Sequence, residues 1–114
     1  MPNFFDQHIQ TIQDWEIGTY ENCEFSGLDF KQTPIKGAKF IECRFLDCDL
    51  SNSSVLGCSF QAVAFEKCKL QGVQFEAANP FGYECDFKSC LLRHATFYQV
   101  NLQQSSFQGS DLTE

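Results

Sequence analysis

Histidine, basic side chains and long apolar runs are all scarce in this chain, and each shortage closes off a class of function. The two histidines, His8 and His94, lie far apart. No serine sits in a Gly-x-Ser-x-Gly turn, and no glycine loop opens a helical pattern that could cradle phosphate. Acid pairs such as Asp47 and Asp49 alternate around a corner instead of converging. An enzyme is therefore not expected, and no cofactor is implied. The cysteines include no Cys-x-x-Cys pair, so a metal site is not expected either. Lysine and arginine total 8 against 15 acids, for a net charge of −7. That balance disfavours direct nucleic-acid binding through a basic groove. No apolar run approaches the length of a membrane span. The start, Met1-Pro2-Asn3-Phe4-Phe5-Asp6, lacks the basic region of a signal peptide.

What the chain has in abundance is a beat of five. From Phe25 the large apolar residues recur as Phe30, Ile35, Phe40, Phe45, Leu50, Val55, Phe60, Phe65, Leu70 and Phe75. The beat resumes as Phe87, Leu92, Phe97, Leu102, Phe107 and Leu112. Two residues before each centre the chain is small, as at Ala38, Ser53 and Ala95, with Leu28 the bulky exception. All seven cysteines (Cys23, Cys43, Cys48, Cys58, Cys68, Cys85, Cys90) occupy that small slot. Self-similarity of this kind outranks local propensity.

Period five matches neither a helix face nor a flat strand. It suits a chain that turns a corner every five residues. Each block then has a short extended piece with two inward side chains, the centre and the residue two before it. Five glycines (Gly27, Gly37, Gly57, Gly72, Gly109) fall two residues after a centre, where a corner favours positive φ. Four corners close a coil of about twenty residues, and coils stack as parallel strands about 4.8 Å apart. One block cannot stand alone. A buried Phe or Leu contributes roughly 1.5–3 kcal/mol, while ordering each backbone costs about 1–2 kcal/mol. Stacking must supply the rest, as in solenoids. Outward positions such as Gln103 are expected to tolerate substitution.

An odd number of cysteines at one inward phase implies reduced, buried thiols that act as small hydrophobes. A reducing, cytoplasmic setting is the matching expectation. Residues 1–22 are expected to form an N-terminal cap, helical or an irregular first coil. Phe5, Ile9 and Ile12 have helical spacing, while Trp15 and Tyr20 keep the five-residue phase. Residues 23–114 form the repeat domain.

Between Phe75 and Phe87 the spacing is two more than a multiple of five. Either two residues bulge out or seven leave as a loop. A bulge near 82–87 keeps Phe25, Phe45, Phe65, Phe87 and Phe107 in one column, and like-on-like stacking favours it. Asn79-Pro80 then marks a corner, and the bulge lifts Phe81 and Tyr83 as candidate exposed aromatics. At the far end, Phe107 and Leu112 lie beside an open strand edge reaching Glu114. Such an edge is a liability, which points either to homodimer formation through the C-terminal coil or to a longer rod.

The blocks Cys48-Asp49-Leu50, Cys85-Asp86-Phe87 and Ser110-Asp111-Leu112 resemble the pattern of the pentapeptide repeat family. The resemblance covers 23–114 and implies an all-β fold, a right-handed quadrilateral parallel β-helix. Asn22-Cys23-Glu24-Phe25-Ser26-Gly27 and Phe81-Gly82-Tyr83-Glu84 are similar to the Qnr-type quinolone-resistance and microcin-immunity group. That group implies an acidic DNA-mimic rod that binds DNA gyrase or topoisomerase IV and modulates quinolone or toxin action. The chain departs from Qnr proteins in being about half as long, in lacking evident loops and in its near-neutral central coils. Residues 1–30 hold six acids (Asp6, Asp14, Glu16, Glu21, Glu24, Asp29) and no lysine or arginine, whereas 31–114 hold nine acids and eight bases. Glu16, Glu21, Glu24 and Asp29, with Tyr83 as an apolar anchor, are the candidate partner contacts. The alternative is a generic scaffold or protein-interaction rod with another partner.

Overall fold

The computed structural model describes residues 1–102 and 105–112, so Gln103 and Glu114 lie outside the described residues. The chain is a parallel β-solenoid with four faces. Face one is a sheet of β1 (Asn3–Phe5), β3 (Thr19–Glu21), β5 (Lys39–Ile41) and β7 (Ser59–Gln61). Face two stacks β2 (His8–Ile9), β4 (Glu24–Ser26), β6 (Arg44–Leu46), β8 (Val63–Glu66) and β9 (Cys85–Lys88). Face three is a line of parallel bridges through Asp29, Asp49, Lys69, Leu91 and Asp111. Face four carries Ile35, Val55, Phe75 and Phe97, with Gln74 bridged to Thr96.

The centres point inward because each strand is two to four residues long and alternates. In β4, β5 and β6 the middle residue is buried and its neighbours are not. Phe25, Phe45, Phe65, Phe87 and Phe107 make one column, with ring centroids 4.6, 4.9, 5.4 and 5.2 Å apart. Edge-on contacts from Phe40 to Phe45 and from Phe75 to Phe87 tie this column to its neighbours. Offset-stacked and edge-to-face pairs add to what burial alone contributes. The core thins at the last coil. Phe97 and Phe107 are only partly buried, and Leu112 is half exposed.

All seven cysteines are buried and free. The thiols do more than fill space. Cys43, Cys48, Cys58 and Cys68 donate to the carbonyls of Tyr20, Phe25, Ile35 and Phe45 on the preceding coil, at 3.1–3.4 Å. Ser110 makes the same bond to Phe87, at 3.2 Å. The slot thus accepts a small side chain with a weak donor. Burial pushes the Cys43 and Cys58 thiols up to about 11.

Corners take positive φ two residues after a centre, with or without glycine. Asn22, Glu42, Asp47, Asn52, Ala62, Lys67, Ser89, His94 and Gln99 all adopt it. The geometry is imposed by the coil and not by local preference.

Residues 3–16 contain no α-helix. They form a shortened first coil in which β1 pairs Asn3 with Thr19 and β2 pairs Ile9 with Phe25, both offsets of sixteen. A single 3-10 turn at Ile12–Asp14 spans the missing block. Phe4, not Phe5, stacks on Tyr20 at 4.6 Å, and Phe5 is exposed. Trp15 closes the coil, stacking on Tyr20 at 5.1 Å and donating its indole N–H to the Pro34 carbonyl.

The interruption adds two residues, since Phe65 pairs with Phe87 and Lys69 with Leu91. The extra length falls between Asn79 and Glu84. Asn79 still donates its amide to Cys58, and Glu84 donates to Phe60, with a turn at 80–83 between them. Residues 85–87, expected within the bulge, are regular strand in β9.

Candidate functional site

Outward positions on faces two and three are largely charge-paired. Arg44 on β6 reaches Glu66 at 2.6 Å and Glu24 at 3.4 Å, and His8 lies 3.0 Å from Glu24. Arg44 holds the Glu66 carboxyl below its ordinary range, chiefly by hydrogen bonding. Lys31 lies 3.6 Å from Asp49. Burial pushes Asp49 up, but bonds from Ser51 and the charges of Lys31 and Lys69 outweigh it and hold the carboxyl low. These ladders arise because parallel, in-register coils set directly opposite and diagonal residues of neighbouring coils side by side.

The sequence candidates do not converge. Glu16 lies beside Trp15 next to face four, Glu21 on face one, Glu24 on face two and Asp29 on face three. Glu24 is already engaged by Arg44 and His8. Tyr83, expected at the surface as an apolar anchor, is buried at 8% exposure. Alternation running back from Phe87 and Cys85 turns Tyr83 inward. Phe81 is the aromatic the bulge exposes, at 77%.

The coil instead assembles a different acidic feature, along the edge between faces one and two. The Asp6 amide donates to the Glu21 carbonyl, and the Asn22 side chain donates to the Asp6 carboxylate at 2.8 Å. On the next coil, Glu42 occupies the equivalent corner at φ 52°, exposed, with its amide on Gln61. The following coil has Ala62 at this corner, and Glu84 lies on the coil beyond, its carbonyl accepting from the Val63 amide. Asp6, Glu42 and Glu84 were missed because they are remote in sequence. Only the coil offsets of sixteen, twenty and twenty-two would have aligned them. Among the described residues, no group of three or more His, Cys, Asp or Glu could hold a metal ion, and no helix is long and apolar enough to cross a membrane.

A family model described as a pentapeptide repeat region matches residues 14–80, and one for eight copies of the pentapeptide repeat matches 83–114. The pentapeptide repeat protein MfpA of Mycobacterium tuberculosis is 30% identical over 96 residues, which cover 80% of this chain and 51% of that protein. The full-length structure of QnrB1, a plasmid-mediated fluoroquinolone resistance protein, superposes with a TM-score of 0.58 at 15% identity, covering 98% of this chain and 59% of that one. The pentapeptide repeat protein Rfr23 from the cyanobacterium Cyanothece 51142 gives a TM-score of 0.59 at 11% identity, covering 98% and 84%. The chain thus spans less than two thirds of the length of MfpA or QnrB1.

Proposed function

The chain belongs to the pentapeptide repeat family, and from that membership and the acidic edge we propose that it is a non-enzymatic interaction protein that binds DNA gyrase or topoisomerase IV as a mimic of DNA. The observation that carries the reading is the line of Asp6, Glu21, Glu42 and Glu84 along one edge, beside face two, where Glu24 and Glu66 are paired with Arg44. Duplex DNA presents regularly spaced anionic groups that basic grooves read without sequence. A stiff rod with carboxylates at one corner of alternate coils, Asp6, Glu42 and Glu84, and Glu21 beside that corner, presents anions in a comparable way. Glu16, Glu21 and Asp29 remain proposed contacts, while the ion pairs of Glu24 reduce its share. Modulation of quinolone or toxin action would follow from occupying the DNA site.

The test is a gyrase supercoiling assay with and without a quinolone. Wild-type protein at micromolar concentration is expected to alter supercoiling, and an Asp6→Asn/Glu21→Gln/Glu42→Gln/Glu84→Gln variant to lose the effect while melting at a similar temperature. An inert wild type moves the reading to a scaffold rod with another partner. The same proposal includes a homodimer through the last coil, where Phe107 and Leu112 are incompletely covered.

A further inference from the structure

The bulge does more than absorb two residues. It takes Pro80–Tyr83 out of the coil-to-coil ladder, and among the described residues no backbone bond joins these four to the coil that follows. A cleft of about 420 Å³ opens there, walled by Phe75, Pro80, Tyr83, Tyr98 and Val100, with Glu76 at its rim. Its volume lies within the range of small-molecule sites, which combine apolar walls with a few polar groups.

Two features of the lining decide what it can hold. Tyr83 is over nine-tenths buried, and its hydroxyl is shielded from solvent without a hydrogen-bond partner. The Cys85 thiol beside it offers only a weak acceptor. Burial pushes the phenol well above its ordinary range, so it stays neutral and adds no charge to the wall. Unpaired buried hydroxyls are uncommon and costly. The second feature is charge. The described lining includes the Glu76 carboxylate and no lysine or arginine. Both Glu76 oxygens lie 2.8 Å from the single Thr96 hydroxyl, which leaves acceptor capacity free. The Asn79 side chain is occupied, donating to Ser59 and accepting from the Phe81 amide. The Tyr98 ring is largely exposed and stands at the wall as a face for a cation.

We propose that this cleft is a binding site for a small organic cation with an apolar body, an aryl-alkylammonium compound. The aryl group lies against Pro80, Val100 and the tyrosine rings. The ammonium pairs with Glu76, while the Tyr83 hydroxyl, shielded from solvent, stays behind the wall. This inference does not rest on the topoisomerase reading, because it concerns a different face and a different class of ligand.

The probe is phenethylamine, titrated into the full chain by NMR, with the Val100 methyls and the Tyr83 and Tyr98 rings as reporters. Neutral 2-phenylethanol and anionic phenylacetate serve as matched comparisons. Saturable shifts at these reporters are expected, with the amine binding about fivefold or more tighter than the alcohol, as a partly exposed cation contact warrants. Phenylacetate should bind weakest. Glu76→Gln should bring the amine down to the alcohol, and Tyr83→Phe should leave both affinities unchanged while raising the melting temperature. Equal affinity for amine and alcohol in the wild type would overturn the cation assignment. Absence of saturable shifts at these reporters would leave the cleft a packing gap and overturn the proposal entirely.

Discussion

A single inward side chain here is coupled to the coils on either side of it. Phe45 stacks between Phe25 and Phe65 and meets Phe40 edge-on. Phe45→Ala should cost about 3–5 kcal/mol, as buried Phe deletions do, measured by denaturant unfolding. Its effect should be non-additive with Phe65→Ala, because neighbours in contact couple. The corners supply the opposite case. Lys67 sits at φ 54° and Ala62 at φ 55°. A non-glycine residue in that region costs about 1–2 kcal/mol, while glycine's extra unfolded-state freedom returns about 0.4–1 kcal/mol. Lys67→Gly should therefore stabilise slightly, by up to about 1 kcal/mol, against the general rule that glycine weakens a sheet. A lower melting temperature for this variant would show that the Lys67 side chain contributes more than its backbone strain costs. The thiols give a third handle. With Cys43 and Cys58 pushed up to about 11 by burial, little thiolate exists at neutral pH. Native labelling by a thiol reagent should be slow, and seven groups should react after denaturation. Rapid labelling of most thiols in the native state would place the small slot at the surface.

At the scale of elements, faces two and three are held by carboxylates that titrate with consequence. Asp49 and Glu66 are both depressed in the folded chain. A depressed carboxylate contributes stability that is complete above its unfolded value, near about 4, and that disappears as pH falls through the lower folded value. Melting temperature should thus drop as pH is lowered below about 4, and Asp49→Asn should flatten part of that acid limb. An unchanged limb would mean that Lys31 and Ser51 do not favour the ionised form. The elements also show what could be read in advance. The column phase was legible because period five repeats across most of the chain, and it survives the bulge as a shift of two. The first coil was not, because its offset is sixteen and its Phe-x-x-x-Ile spacing imitates a helix. Tyr83 was misplaced for a related reason. A bulge alone lifts its residues outward, whereas strand alternation resumes within this one and returns the ring to the core. The acidic edge stayed hidden because sequence proximity gathers Glu16 to Asp29, while the coil spreads those residues over four sides.

For the molecule as a whole, the solenoid makes stability a chain of neighbour contacts, so the terminal coils decide assembly. The radius of gyration is 12.6 Å and the long axis 34 Å, so the molecule is a stubby rod. Along it the burial declines in one direction. Phe87 and Leu92 are fully enclosed, Phe97 and Phe107 are partly so, and Leu112 is half exposed. Phe107 still stacks on Phe87 at 5.2 Å and meets Phe97 edge-on at 5.6 Å, so the column continues to its last ring. In the proposed homodimer a second copy laid against this coil would extend the columns and cover Phe107 and Leu112. The contact would be two-fold and self-complementary, as closed homodimers require. Light scattering of the 114-residue chain should then report a dimer, and Leu112→Lys, which sets a charge on each side of the axis, a monomer. Because residue 112 is already half exposed, the variant should keep its far-ultraviolet circular dichroism and most of its melting temperature at low concentration. A folded, dimeric Leu112→Lys protein would place the interface elsewhere on the rod, and a monomeric wild type would remove the homodimer from the proposal.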